Sequence, residues 1–101
     1  MRLAIGVVTS HGFPIPAPFW KSYEQLGNHL RTGQSPVRYF ELVSSDGFPV
    51  DVARNQIVRY TLDRAFSHLL FLDCDHLMPP DLVDRLAAHQ KDVITARYHV
   101  R

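Results

Sequence analysis

A single cysteine, Cys74, stands in the 101-residue chain, so no internal disulfide is available to staple the fold. No basic, apolar, small-residue leader opens the sequence, and with one thiol and no bridge the expected setting is the reducing cytoplasm. No apolar run approaches the ~20 residues of a spanning helix, which gives the expectation of no membrane span. An excess of one charge is lacking too: 11 Lys and Arg against 10 Asp and Glu leave a formal +1, and that balance points to no nucleic acid partner. Internal repeats, low-complexity tracts and linkers are absent. Residues 1–101 are therefore expected to form one domain, or part of one, burying roughly 60–70% of the surface the unfolded chain exposes.

What is present is a regular alternation of short apolar runs and helical stripes. "RLAIGVVTS" predicts a strand over Leu3 to Val8. The prolines of "HGFPIPAPFW" then predict an ordered loop leading into a helix whose apolar side chains Phe19, Tyr23, Leu26 and Leu30 form one stripe. "VRYFELV", Val37 to Val43, reads as a strand closed by the turn-forming "SSDG". "VDVARNQIVRYTLDRAF" follows as a helix with Ala53, Ile57, Tyr60 and Thr61 on one side and Asp51 placed to cap its start. The unbroken "HLLFLD" is a strand of the kind covered on both faces of a parallel sheet. "PPDLVDRLAAHQ" predicts a helix with proline in its first turn, Asp81 near its positive end, and Leu82, Val83, Leu86 and Ala87 inward; "KDVITARYHV" closes the series as a strand. Strand and helix in alternation predict an α/β domain with a mainly parallel sheet of about four strands.

In such a sheet ligands bind beyond the carboxyl ends of the strands, here "TSHG", "SSDG" and "DCDH". If the extended geometry of the third strand persists, period-two alternation sends Asp73 and Asp75 to the same side. Two carboxylates there suit a hard cation, Mg²⁺ or Mn²⁺, whose shell a diphosphate completes. The competing reading is an aspartate-containing turn after an apolar strand, since D-x-D recurs by chance. An amino end of a helix, such as that near Asp51, favours an anion at the same edge.

The coupled "VDVARNQIV" and "LLFLDCDHLMPPDLVDRLAAH", followed by "DVITARY", resembles the nucleotide-binding half of GT-A-type glycosyltransferases, particularly family 2-like enzymes. The likeness covers most of the chain and implies a three-layer Rossmann-like domain. It implies a UDP- or GDP-sugar donor, a Mn²⁺ or Mg²⁺ ion held by the D-x-D pair Asp73 and Asp75, and transfer of the sugar to an acceptor the residues do not name. Asp75 is the better candidate for direct metal contact, Asp73 for metal, sugar or ribose, and Arg54 and Asn55 for the neighbourhood of the donor. Thr9 and Ser10, at the first strand's end, either bind donor or turn the chain.

The chain also departs from the family. It moves from "YFELVSSDG" almost directly into the A-R-N segment, where many members carry a further strand and helix, and it stops soon after "ITARYHVR", before the acceptor half and the usual catalytic base. No base is therefore assigned. The alternative is a truncated, non-catalytic nucleotide-binding or assembly module. An aspartyl phosphohydrolase also favours a strand ending in D-x-D, but "DCDHL" lacks the Thr or Val such enzymes usually carry two places on. A sheet cut at its last strand predicts an open edge and homo-oligomers that cover it.

The remaining candidates carry ordinary readings beside functional ones. His76 is a second-tier ligand or a polar turn residue. Cys74 is expected to turn into the core. Asp46 reads as a turn former, the other histidines as surface or structural, and Trp20 with Phe19 as core cover rather than a sugar platform.

Overall fold

The computed structural model describes residues 1–9, 15–46, 49–74 and 77–95. Their order is β1 (Arg2–Thr9), α1 (Ala17–Leu30), β2 (Tyr39–Asp46), α2 (Val50–Asp63), β3 (His68–Leu72) and α3 (Leu82–Ala87). The strands form one open sheet in the order β2-β1-β3, and both pairings are parallel. This is a small α/β arrangement compatible with a Rossmann-like fold.

β1 is central, and the order of its side chains explains how the two faces differ. Leu3, Ile5 and Val7 point to one side, and Ala4 and Gly6 to the other, so a run that looks uniformly apolar alternates large and small. On the large side Leu3, Ile5, Val7 and Leu72 pack with Phe19, Leu26 and Leu30 of α1, with Met78 and with Val83 of α3. On the small side Ala4 and Val43 pack with Ile57 of α2, flanked by Val8, Tyr60, Phe66 and Leu69. A Cβ built on Gly6 would sit 2.9 Å from Ile57 Cγ2 and 3.1 Å from a Phe71 ring carbon, so this glycine is what lets α2 lie close. The crossovers β1-α1-β2 and β2-α2-β3 run in opposite directions across the sheet, and right-handed connections then put α1 and α2 on opposite faces.

The helices end for identifiable reasons. After α1 the Thr32 hydroxyl donates to the His29 carbonyl at 2.7 Å, and Gly33 turns the chain toward β2 with φ 81°, a left-handed conformation that suits glycine. After α2 the Phe66 N–H donates to the Thr61 carbonyl at 3.1 Å and the Ala65 N–H to the Leu62 carbonyl at 3.2 Å. That is a Schellman closure, with Ala65 at φ 57° where glycine is usual and the Phe66 ring 6.3 Å from that of Tyr60.

Several expectations need correction. β2 starts at Tyr39 rather than Val37 and runs through Ser44, Ser45 and Asp46, because parallel pairing with Val7, Val8 and Thr9 extends it past the turn-prone "SSD". Asp51 does not cap α2: Pro49 is the N-cap residue and Asp51 lies within the first turn. Pro79 and Pro80 precede α3, whose N-cap is Asp81. Trp20 is 41% exposed, held edge-on to Phe19 and Tyr23, since it stands one position off the buried stripe. Three strands, not four, are present among the described residues: 91–95 form no strand, and the rest of the expected last strand lies outside them. No helix among the described residues is long and apolar enough to cross a membrane.

Candidate functional site

Parallel pairing brings all three strand ends to one rim. Register places Thr9 of β1 opposite Asp46 of β2, and Val7 of β1 opposite Leu72 of β3, so Asp73 follows one residue past that pair, near the end of β1. The ends of β2 and β3 flank β1 at a separation of about 10 Å, two strand spacings. With β1 leading outward to β2 and the chain then crossing to β3 on its other side, the β1/β3 junction is a topological switch point, the position where open α/β sheets leave a crevice.

On the β2 side the rim is tied together by hydrogen bonds. Thr9, half-buried, has its Oγ1 3.4 Å from both the Ser45 carbonyl and Asp46 Oδ1, so one hydroxyl proton is shared between two acceptors. The Ser45 hydroxyl donates to Gln56 Oε1 at 2.5 Å, fastening the strand end to the second turn of α2. α2 begins just beyond the end of β2, with Asp51 exposed in its first turn, where the leading N–H groups have no intrahelical partner. Arg54 and Asn55 are exposed on these turns, off the buried stripe of Ala53, Ile57 and Thr61.

On the β3 side the strand pairing stops sooner than on the β2 side. The ladder with β1 ends at Leu72, Asp73 is outside any strand and exposed, and Cys74 is in a turn. The strand that would set the alternation ends at Leu72, and the expected convergence of Asp73 with Asp75 falls on a residue outside those described. Cys74 is half-buried and packs against the core beneath α1, as expected of a thiol that is not a ligand. Ser10, Asp75 and His76 lie outside the described residues.

The structure thus brings Thr9 and Asp73 to adjacent strand ends and places Arg54 and Asn55 on an exposed helix flank at the same rim. Among the described residues no three His, Cys, Asp or Glu side chains converge to hold a metal. The side chains that do reach the rim offer oxygen: the carboxylates of Asp46 and Asp73 and the hydroxyl of Thr9. That donor chemistry suits Mg²⁺ or Mn²⁺ and is poor for zinc. Asp46, read from the sequence as a turn former, instead ends β2, and Gln56 was not singled out; the only signal for Asp46 was its position at the end of a β-prone run, against which turn propensity argued.

Comparison of the chain with protein-family models, with curated proteins and with solved structures finds no match.

Proposed function

We propose that this domain binds a nucleoside-diphosphate sugar at the β1/β3 rim and belongs to a metal-dependent glycosyltransferase of GT-A type. The observation that carries the reading is the parallel β2-β1-β3 order, which puts Asp73 at the end of β3 next to the end of β1, at the switch point of the sheet. In this reading Asp73 and Asp75 hold Mn²⁺ or Mg²⁺, with His76 as a secondary ligand. The bound cation would supply Lewis-acid stabilisation of the charge on the departing diphosphate. Arg54 offers a guanidinium to phosphate oxygens, Asn55 an amide to the donor, and the first-turn N–H groups of α2 a positive dipole end. Thr9 and Ser10 line the donor side. Transfer to an acceptor hydroxyl also needs a general base, a role given to no residue of this chain.

One observation favours a second reading, a nucleotide-binding or assembly module without turnover. Among the described residues β3 is an edge strand, and along it a cavity of about 650 Å³ is bordered by Leu70, Leu72, Leu82, Leu86 and Ile94. An apolar groove at a strand edge suits association with another chain, including a second copy of this one.

The deciding experiment is calorimetric titration of UDP- and GDP-sugars with and without Mn²⁺, followed by a turnover assay with hydrolysis controls. Donor binding should require the cation and weaken by roughly tenfold or more in Asp75→Asn. Binding that ignores both cation and mutation would remove the metal role; metal-dependent binding with neither transfer nor hydrolysis would favour the module.

A further inference from the structure

Parallel strands bring their amino ends together at the pole opposite the candidate rim. Arg2 of β1 stands there in register with Tyr39 of β2, on the side of Ala4 and Gly6 that α2 packs against. Three rings form a row beside it. The Tyr39 and Phe66 centroids are 6.0 Å apart with planes inclined by 27°, and those of Phe66 and Tyr60 are 6.3 Å apart, inclined by 31°. The Arg2 guanidinium carbon lies 4.9 Å from the Tyr39 centroid and 5.0 Å from that of Phe66, so its charge is shared between two rings; Arg64 lies 5.0 Å from Tyr60 at the other end of the row. Hydrogen bonds fix the pair in place. The Arg2 N–H donates to Ser67 Oγ and the Ser67 N–H to the Arg2 carbonyl, both at 2.9 Å, and Arg2 Nη2 donates to the Arg64 carbonyl at 3.4 Å.

Neither cation is neutralised. Among the described residues no carboxylate pairs with Arg2 or Arg64, and the Glu41 carboxylate accepts instead from the Tyr60 hydroxyl at 3.1 Å. A guanidinium laid on a ring keeps its donors in its own plane, where they match the two oxygens of a carboxylate. Arg2, Arg64 and Tyr39 are all exposed, Tyr39 at 45%, and arginine and tyrosine are the side chains that most often anchor protein interfaces. From this arrangement we infer that the pole is a docking surface for an acidic segment of a partner protein, its Asp or Glu carboxylates forked onto Arg2 and Arg64 and its remaining atoms covering Tyr39. Charge complementarity selects that occupant, since two fixed cations stand without counter-charge. Single-stranded nucleic acid is served less well: bases stack on open rings, each ring of this row already carries a guanidinium, and a net charge of +1 draws little from a phosphate backbone. The surface lies at the far end of the sheet from Asp73, so it stands or falls apart from the donor-binding reading.

The test is fluorescence anisotropy of a labelled oligoglutamate peptide at low ionic strength, titrated with the full chain and three variants. Arg2→Gln and Arg64→Gln each remove one cation of the row, and Arg59→Gln removes the same charge from an exposed position of α2 outside it. The wild-type chain should bind the peptide. Arg2→Gln and Arg64→Gln should each weaken the complex by roughly tenfold, as expected on losing a charge-assisted hydrogen-bonded pair, and Arg59→Gln by less than about twofold. A wild-type chain that does not bind the peptide overturns the inference. Equal weakening in Arg59→Gln also overturns it, because net charge alone would then be the attraction. Labelled oligothymidylate that binds more tightly than the peptide, and loses affinity in the same two variants, overturns the acidic occupant and gives the surface to nucleic acid. Should either row variant fail to fold, amide shift mapping on the wild-type chain decides: peptide-induced shifts centred on Arg2, Tyr39 and Arg64 to Ser67 support the surface, and shifts centred elsewhere refute it.

Discussion

The two faces of the sheet are built on opposite plans. Beneath α1 and α3 the space is filled by large side chains: Phe19 and Leu26 from the helix meet Leu3, Ile5 and Val7 from the sheet, with Met78 and Val83 closing the end near the candidate site. Beneath α2 the sheet offers Ala4 and Gly6, and the helix comes close enough that a Cβ on Gly6 would stand 2.9 Å from Ile57 Cγ2. One side gains its stability from volume and the other from proximity. The consequence is that the large core extends past the end of β3 to take in Cys74 and Met78, while the close-packed helix carries Arg54 and Asn55 on its exposed flank near its amino end.

Opposite operations should therefore damage the two faces. Phe19→Ala empties the thick core, and its cost should be about 3–5 kcal/mol, read as a fall in the denaturation midpoint with the slope unchanged. Gly6→Ala adds a methyl where Ile57 and Phe71 already stand at 2.9–3.2 Å, and should cost about 1–3 kcal/mol by pushing α2 outward. A Gly6→Ala protein as stable as the parent would show that the thin face has slack and would break the comparison.

A smaller effect of opposite sign is expected at the end of α2. Ala65 holds φ 57° in the Schellman closure, and a left-handed residue with a Cβ costs roughly 1–2 kcal/mol. Ala65→Gly should relieve part of that, offset by the greater freedom of glycine in the unfolded chain, for a net gain under about 1 kcal/mol in thermal or denaturant unfolding. A loss of stability would mean that the strain is absent.

The faces also differ in how each raises a tyrosine. Burial against α1's core pushes the Tyr23 phenol above 10.0, with Arg31 partly opposing, whereas Tyr60 is raised chiefly by the hydrogen bond its hydroxyl donates to Glu41 at 3.1 Å. In both cases the native state keeps its proton longer than the unfolded chain does. The stability these groups contribute is complete below about pH 10 and is lost as pH rises through the folded-state values. Spectrophotometric titration of Glu41→Gln should lower the Tyr60 midpoint and leave that of Tyr23 in place; movement of both would mean that the faces are coupled through the sheet.

How far the sequence could be read depended on whether a residue's role was local. The stripes of α1 and α2 were legible because Phe19, Tyr23, Leu26 and Leu30, and Ala53, Ile57, Tyr60 and Thr61, recur at helical spacing; the structure buries all of them but the two tyrosines, which are half-buried. The boundaries of β2 were not, since Ser44 to Asp46 favour a turn by themselves and enter the strand only because β1 is there to pair with them. At the candidate site the position of Asp73 after β3 was legible from the apolar run before it. The early end of that strand, the bond from Thr9 to Asp46 and the hold of Ser22 on Met78 were not, because each joins segments 36 or more residues apart or depends on where a partner strand stops.

By itself the sequence determined the alternation of strands and helices, the parallel sheet that alternation requires, and the placing of an acidic turn directly after an apolar strand, because hydrophobic period and turn chemistry act over a few neighbouring residues. Tertiary structure decided the order β2-β1-β3, the division of β1 into a large and a small face, and the pairing of the Ser22 hydroxyl with the Met78 backbone. Those features arise from contacts between segments far apart in the chain, whose pairing and packing no local pattern encodes.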